Sequence, residues 1–107
     1  MHDKELFVIL NPHASKGRAS KQRHMIEEYL SVDGHTVVLV ETKQKEGAEQ
    51  LAYKAVCEGR QVIIAAGGDG TVNEVVNGIL KAVSNRGVAC PALGVIPIGR
   101  GNDFAWG

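Results

Sequence analysis

The 107-residue sequence has little of several features that would define its class. Its two cysteines, Cys57 and Cys90, lie far apart without a CxxC spacing, so neither a zinc site nor a disulfide framework is indicated. We expect two packed thiols in a reducing compartment. Lysine plus arginine and aspartate plus glutamate number twelve each, which disfavours nucleic-acid binding because that function needs an excess of basic charge. The four histidines show no HxH or HExxH spacing, so none is predicted to bind a metal.

Long hydrophobic runs are also missing. No apolar stretch approaches the roughly 18 residues of a membrane-spanning helix, and residues 1–5 lack the basic-then-apolar order of a signal peptide. We therefore expect a cytoplasmic protein, with contact to a membrane surface left open. A chain of 107 residues has room for one hydrophobic core, so a single domain is predicted.

What the chain does contain is an alternation of apolar runs and helical patterns. Strands are predicted at residues 6–10, 35–40, 62–66 and 92–96. A first helix is predicted from an inner stripe through Gln22, Met25, Ile26, Tyr29 and Leu30, a second over residues 46–58, and a third after residue 71, followed by a loop over residues 84–91. The alternation predicts an α/β protein, a three-layer Rossmann-like parallel sheet with helices on both faces.

Polar and glycine-rich residues follow each predicted strand. They are residues 11–17, Thr42, residues 67–71 and residues 99–103. Loops that leave the carboxyl ends of parallel strands share one edge of the sheet, where ligands bind. We therefore predict a binding site along this edge.

The densest of these segments is Gly67-Gly68-Asp69-Gly70-Thr71. Its glycines could serve a tight turn through positive φ, but three glycines with an acid and a threonine favour phosphate binding. The phosphate would be held by an anion nest of backbone N–H groups and by the positive end of the following helix. A carboxylate at Asp69 would repel phosphate unless a divalent cation lay between them, which indicates Mg²⁺; capping of backbone donors is the alternative.

Three further patterns leave alternatives open. Thr71 and Glu74 fit a capping box at a helix start as well as a ligand site. Gly78 costs about 1 kcal/mol in a helix, so a strand, a loop or a ligand should approach it closely. A basic cluster is either a solvated helix face or a surface that attracts nucleotide phosphates or anionic lipids; it consists of His13, Lys16, Arg18, Lys21, Arg23 and His24.

Three segments together resemble the diacylglycerol kinase catalytic domain family, which includes bacterial lipid kinases and sphingosine kinases. They are Asn11-Pro12, GGDGTVNEVVNG at residues 67–78 and PIGRGNDFA at residues 97–105. GGDGT alone is shared with NAD kinases, whereas its continuation and the GNDFA ending favour the lipid kinases. The resemblance implies a fold of the NAD kinase/diacylglycerol kinase type. It also implies an ATP- and Mg²⁺-dependent kinase of phospholipid metabolism, which phosphorylates a diacylglycerol-like lipid hydroxyl at a membrane surface.

The resemblance also implies roles for individual residues. Nucleotide contacts fall on Asn11, Thr42, Gly67, Gly68, Asp69, Gly70, Thr71, Glu74, Gly99, Gly101 and Asn102. Asp69 and Asp103 are the catalytic candidates, and Asp69 is also the candidate Mg²⁺ ligand. Arg100 departs from the pattern, because the family commonly has threonine there.

Family members continue into a second, β-rich domain that faces the nucleotide. Residues 1–107 are therefore expected to form the N-terminal nucleotide-binding domain of a lipid kinase, which binds nucleotide but has little or no lipid kinase activity alone. Two alternatives stay open. One is a kinase of the NAD kinase type that acts on another substrate. The other is a non-catalytic module that binds nucleotide or assembles with a partner or a second copy as a homodimer.

Overall fold

The structure is a computed structural model that describes residues 5–12, 19–31, 34–43 and 47–98, with the side chains of the first helix described from Gln22 onward. Its strands are β1 Glu5–Leu10, β2 Thr36–Glu41, β3 Val62–Gly67 and β4 Ala92–Pro97, and its helices are α1 Ala19–Ser31, α2 Ala48–Cys57 and α3 Asp69–Arg86. All strand pairs are parallel, in the order β2-β1-β3-β4. The predicted α/β fold with a parallel sheet is confirmed.

The hydrophobic core has one layer on each face of the sheet, because successive strand residues point to opposite faces. On one face, Phe7, Ile9, Ile63 and Ala65 pack against α2 and α3. On the other face, the alternate residues of the same strands pack around Ile26 of α1. The central strands β1 and β3 are buried on both sides, which explains their continuous apolar sequences.

Helix α1 contacts the sheet through a narrower stripe than its sequence predicts. Gln22 and Ile26 are buried and Leu30 is half-buried, whereas Met25 and Tyr29 are exposed. The three inward residues are spaced four apart, so α1 lies on the sheet along a single row of side chains. The broader stripe predicted from the sequence is wrong at Met25 and Tyr29.

Helices α2 and α3 end close to glycine residues, and α3 continues through polar residues that were predicted to form a loop. Helix α2 is followed by Gly59 at φ +87°, in the left-handed conformation that the sequence predicts. Helix α3 continues through residues 84–86 and is capped by Gly87 at φ +66°, whose N–H donates to the Val83 carbonyl. The predicted loop is therefore wrong in its first three residues. Pro97 belongs to β4, where a proline is tolerated because β4 is an edge strand of the described sheet.

Helices α2 and α3 make their closest approach at Gly78. A Cβ added there would overlap the Glu49 carbonyl oxygen and would lie 2.9 Å from the Ala52 Cβ. Lys81, one turn later in α3, forms an ion pair with Glu49 across the same contact. The close neighbour at Gly78 is therefore helix α2, where a strand, a loop or a ligand was expected from the sequence.

Replacing Gly78 with alanine should destabilise the protein. Overpacking a tight contact typically costs about 1–3 kcal/mol, which exceeds the gain in helix propensity of about 1 kcal/mol. We expect the melting temperature of Gly78→Ala to fall by several degrees in a thermal melt. Gly70→Ala is the matched control in the same helix, because its Cβ would meet no atom within 4 Å. A Gly78→Ala protein as stable as Gly70→Ala would contradict this account of the helix contact.

Candidate functional site

The loops at the carboxyl edge of the sheet are held together by backbone hydrogen bonds that continue beyond the strands. Thr42 N–H donates to Leu10 O at 2.9 Å, Asn11 N–H to Ala66 O at 3.1 Å, and Ile98 N–H to Gly67 O at 3.1 Å. The chain segments that follow all four strands are thus fixed along one edge, which we call the rim. Ile98 lies one residue beyond β4, and its hydrogen bond to Gly67 was not predicted from the sequence.

The direction of the chain connections reverses at the centre of the rim, between β1 and β3. From β1 the chain goes to the neighbouring strand on one side through α1, and from β3 it goes to the neighbour on the other side through α3. The two helices lie on opposite faces of the sheet. Such a point of reversal is where open α/β sheets bind their ligands. Asn11 and the glycine turn flank it.

The glycine turn leads directly from β3 into α3. Strand β3 ends at Gly67, and Gly68 is the N-cap of α3, with extended backbone and no side-chain cap. The first helical bond runs from Val72 N–H to Gly68 O at 3.1 Å, so the N–H groups of residues 69–71 have no partner within the helix. A Cβ at Gly68 or Gly70 would meet no atom within 4 Å. The positive end of α3 is therefore open for an anion to approach.

The conformation of this turn differs from the positive φ and the anion nest that the sequence suggested, whereas α3 begins at this turn, as the sequence predicts. Among the described residues, positive φ occurs at Gly34, Gly59 and Gly87, and not in the glycine turn. The glycines are therefore not explained by a left-handed backbone. The available N–H donors belong to the first turn of a helix and not to a nest of alternating right- and left-handed residues.

Thr71 connects the start of α3 to the ends of β1 and β3. Its side chain is 5% exposed, and its Oγ1 accepts a hydrogen bond from Asn11 Nδ2 at 3.2 Å. A Cβ on Gly67 would lie 2.6 Å from the same oxygen, so glycine is required there by close contact. Thr71 is the third residue of α3 and not its N-cap. The predicted capping box of Thr71 with Glu74 is therefore wrong.

Glu74 lies instead beside the start of α2. It is exposed, and its Oε1 is 3.5 Å from the position that a Cβ on Gly47 would occupy. Gly47 is the N-cap of α2, and its N–H donates to Gln50 Oε1 at 3.3 Å. A carboxylate is favourable at the positive end of a helix, so Glu74 helps to fix α2 against α3 at the rim. Gly47 followed three residues later by Gln50 is a sequence signal from which this cap could have been predicted.

Asp69 is an acidic side chain at the described part of the rim that could bind a metal ion. It is exposed and occupies the first position of α3. No group of three His, Cys, Asp or Glu side chains that could hold a metal ion occurs among the described residues. Mg²⁺ is commonly bound by one or two carboxylates together with substrate phosphates. Asp69 therefore fits a magnesium ion that arrives with a nucleotide.

The remaining predicted residues divide into two groups. Gly99, Arg100, Gly101, Asn102 and Asp103 lie outside the described residues, as do His13, Lys16, Arg18 and the side chain of Lys21. Within the described part of the basic cluster, Arg23 pairs with Glu41 at 3.1 Å and with Glu27 at 3.7 Å, and His24 lies 3.6 Å from Glu28. These pairs have the character of a solvated helix face.

Comparison with known proteins agrees with the fold and motifs. A four-stranded parallel sheet between helices, with its loops gathered at one edge, defines a Rossmann-like α/β protein. The family model "Diacylglycerol kinase catalytic domain" matches residues 5–107. The chain therefore belongs to the diacylglycerol kinase catalytic domain family. No helix among the described residues is long and apolar enough to cross a membrane.

Individual relatives are longer proteins. The diacylglycerol kinase of Bacillus subtilis is 40% identical over 100 residues, which are 92% of this chain and 31% of that protein. Sphingoid long-chain bases kinase 1 of Arabidopsis thaliana is 35% identical over 107 residues, covering 95% of this chain and 14% of that protein. The crystal structure of a diacylglycerol kinase from Bacillus anthracis superposes with a TM-score of 0.69 at 28% identity, covering 91% of this chain and 33% of that one. The chain thus spans about a third or less of these relatives.

The Asn11–Thr71 bond predicts the effect of removing the Thr71 hydroxyl. Thr71→Val keeps the shape of the side chain but leaves the Asn11 amide without this acceptor, which should cost about 1 kcal/mol in the free energy of unfolding. Urea denaturation would measure the loss. Thr71→Ser keeps the oxygen and serves as the control. When Asn11→Ala is also present, the difference in unfolding free energy between Thr71 and Thr71→Val should become smaller. An unchanged difference would show that the Asn11–Thr71 hydrogen bond is not its cause.

Proposed function

We propose that this chain is the ATP-binding domain of an ATP- and Mg²⁺-dependent lipid kinase. The observation that carries the proposal is the open amino end of α3, bordered by Gly68 and Gly70 at the reversal point of the sheet. Helix termini of this kind bind phosphate through free N–H groups and a partial positive charge, which contributes about 0.3–1 kcal/mol toward an anion. The nucleotide phosphates would lie against residues 67–71.

The other predicted residues complete this proposed site. Asn11 and Thr42 would contact the nucleotide from the neighbouring strand ends, and Glu74 would order the start of α2. Gly99, Gly101 and Asn102 remain predicted nucleotide contacts, and Asp103 remains a catalytic candidate. The rim order Thr42, Asn11, Gly67 and Ile98 supports a single site, because backbone hydrogen bonds place these four residues along the same edge of the sheet.

Magnesium would be held between Asp69 and the phosphates. When bound, Mg²⁺ neutralises charge on the phosphate oxygens during transfer. The carboxylate of Asp69 would orient the ion from the start of α3, and the backbone N–H groups of residues 69–71 would orient the phosphates. The exposure of Asp69 and its place at the rim support this assignment.

The proposed acceptor is the hydroxyl group of a lipid such as diacylglycerol, because the Bacillus subtilis relative is named a diacylglycerol kinase. Transfer requires the hydroxyl and a general base to be positioned next to the nucleotide. We propose that residues 1–107 alone bind nucleotide with little or no transfer, which the much greater length of the relatives supports. The homodimer, the absence of nucleic-acid binding and a location at the membrane surface stay predictions.

Nucleotide binding can be measured by thermal melts with Mg-ATP. At 100 times the dissociation constant, ligand binding should add about 2.7 kcal/mol to the free energy of unfolding, which raises the melting temperature by several degrees. Gly70→Ala should bind about tenfold more weakly, a loss of about 1.4 kcal/mol, because its methyl group enters the open space at the end of α3. Asn73→Ala, on the exposed surface of the same helix, is the control. An absent shift in the unmodified chain would refute the proposed function.

If Asp69 binds magnesium, the effect of Asp69→Asn on ATP binding should depend on whether Mg²⁺ is present. With Mg²⁺ present, Asp69→Asn should weaken ATP binding because a metal ligand is lost. With a chelator instead of Mg²⁺, the same variant should bind ATP as well as the unmodified chain or better, because the repulsion between carboxylate and phosphate is gone. Isothermal titration under both conditions would compare the affinities. Equal weakening in both conditions would assign Asp69 a role without a metal.

A further inference from the structure

The fold brings both cysteines to one pocket on the edge of the sheet opposite the rim. Cys57 is the last residue of α2, and Cys90 lies in the segment between α3 and β4. Both are exposed, so the expectation of packed thiols is wrong. Free cysteine is among the most frequently buried residue types, and two exposed cysteines at one place therefore call for an explanation.

The pocket has a volume of about 280 Å³, close to the lower end of the range for small-molecule sites, about 300 Å³. Its walls are Val56, Cys57, Gly59, Arg60, Gln61, Val88, Ala89, Cys90 and Pro91. These residues surround the amino ends of β3 and β4. None of them belongs to the proposed nucleotide site, so the pocket is a separate feature of the molecule.

Among the lining side chains, the two thiols are the nucleophiles. The guanidinium of Arg60 is already paired with the carboxylates of Glu5 and Glu58 and lies 4.8 Å from the centre of the Phe7 ring. Arg60 therefore serves to hold the amino edge of the sheet together. The chemistry available to a molecule in the pocket is that of Cys57 and Cys90.

A backbone hydrogen bond joins the two segments that carry the cysteines. Ala92 N–H donates to Gln61 O at 2.9 Å, which fastens the segment before β4 to the turn that follows α2. Cys90 precedes this bond by two residues, and Cys57 is separated from its acceptor by one short turn. Residues 87–91 have no regular secondary structure, so Cys90 can shift without breaking a helix or a strand. To form a disulfide, the Cα atoms of Cys57 and Cys90 must come within about 4.4–6.8 Å of each other.

We propose that Cys57 and Cys90 form a two-thiol site that reacts with low-molecular-weight disulfides and closes to an intramolecular disulfide. One protein thiolate attacks a sulfur of oxidised glutathione, so that a mixed disulfide forms and one glutathione leaves as a thiolate, which takes up a proton. The second protein thiolate then attacks the protein sulfur of the mixed disulfide and releases the second glutathione. Two protein thiols are oxidised, and one oxidised glutathione is reduced to two thiols.

The bond would join the end of α2 to the approach of β4 and would enclose β3 and α3 in a covalent loop. Such a loop limits the conformations of the unfolded chain and stabilises the fold. Because the pocket lies at the edge opposite the rim, the oxidised chain should keep its response to Mg-ATP. A failure of nucleotide binding would therefore be separate from a failure of this proposal.

The reaction can be followed by incubating the reduced chain with oxidised glutathione, quenching with acid and measuring intact mass. We expect a product without adduct that lacks two hydrogens, a Cys57–Cys90 cross-link in the peptide map, and a melting temperature several degrees higher. Cys57→Ser and Cys90→Ser are the matched variants, and exposure of both sites makes them compatible with folding. Each should stop at a mixed disulfide that carries one glutathione.

Three results would overturn the proposal. They are an unmodified chain with both thiols still free, a chain that carries glutathione on both cysteines without a cross-link, and a disulfide-linked pair of chains. The same reaction in denaturant tests the contribution of the fold. Cross-linking should be several-fold faster in the native chain than in the unfolded one, and equal rates would show that the pocket does not bring the thiols together.

Discussion

The position of the first turn of α3 depends on one side-chain contact, in which Thr71 packs against the backbone of Gly67 and accepts a hydrogen bond from Asn11. This contact lets α3 begin immediately after β3 ends, with no loop between them. It also connects the third strand to the first, across the point where the sheet reverses. The open amino end of α3 is held in place because its first turn is anchored on both sides.

A second close contact, at Gly78, fixes the direction of α3 after it leaves the rim. Helix α2 packs so tightly there that no side chain fits between the two backbones. Glu74, one turn earlier, lies beside Gly47, the N-cap of α2. Helix α3 therefore presents three features in order along its length. Its amino end is open, Glu74 lies next to the start of α2, and Gly78 contacts the backbone of α2.

The two edges of the sheet present different chemistry. At the carboxyl edge, backbone N–H groups and an exposed carboxylate suit phosphate and a hard cation. At the amino edge, Arg60 is neutralised by Glu5 and Glu58, and two thiols face a small pocket. Parallel strands separate these functions because every strand has the same direction, so all the loops of one kind meet at the same edge.

Several features could be predicted from the sequence because they depend on residues close together in the chain. The strand runs, the helical spacing of Val75 and Ile79, and the left-handed Gly59 are local properties, and they led directly to a parallel α/β fold. The predicted stripe of α3 was wrong at Leu80, which is exposed. The glycine turn indicated a phosphate site from its composition alone. The positive φ expected for its glycines was wrong, because residue type does not distinguish a left-handed turn from an extended N-cap.

The tertiary structure decided which residues from distant parts of the chain are in contact. The sequence did not show that Thr71 braces Asn11, that Gly78 receives α2, or that Met25 and Tyr29 turn away from the sheet. It also placed Cys57 and Cys90 far apart, whereas the chain reversal through β3 and α3 brings them to one pocket. By itself, the sequence determined which segments become strands and helices and which chemical groups lie at their ends. Only packing determined which of those groups meet, because contacts between distant residues depend on how the whole chain closes around its core.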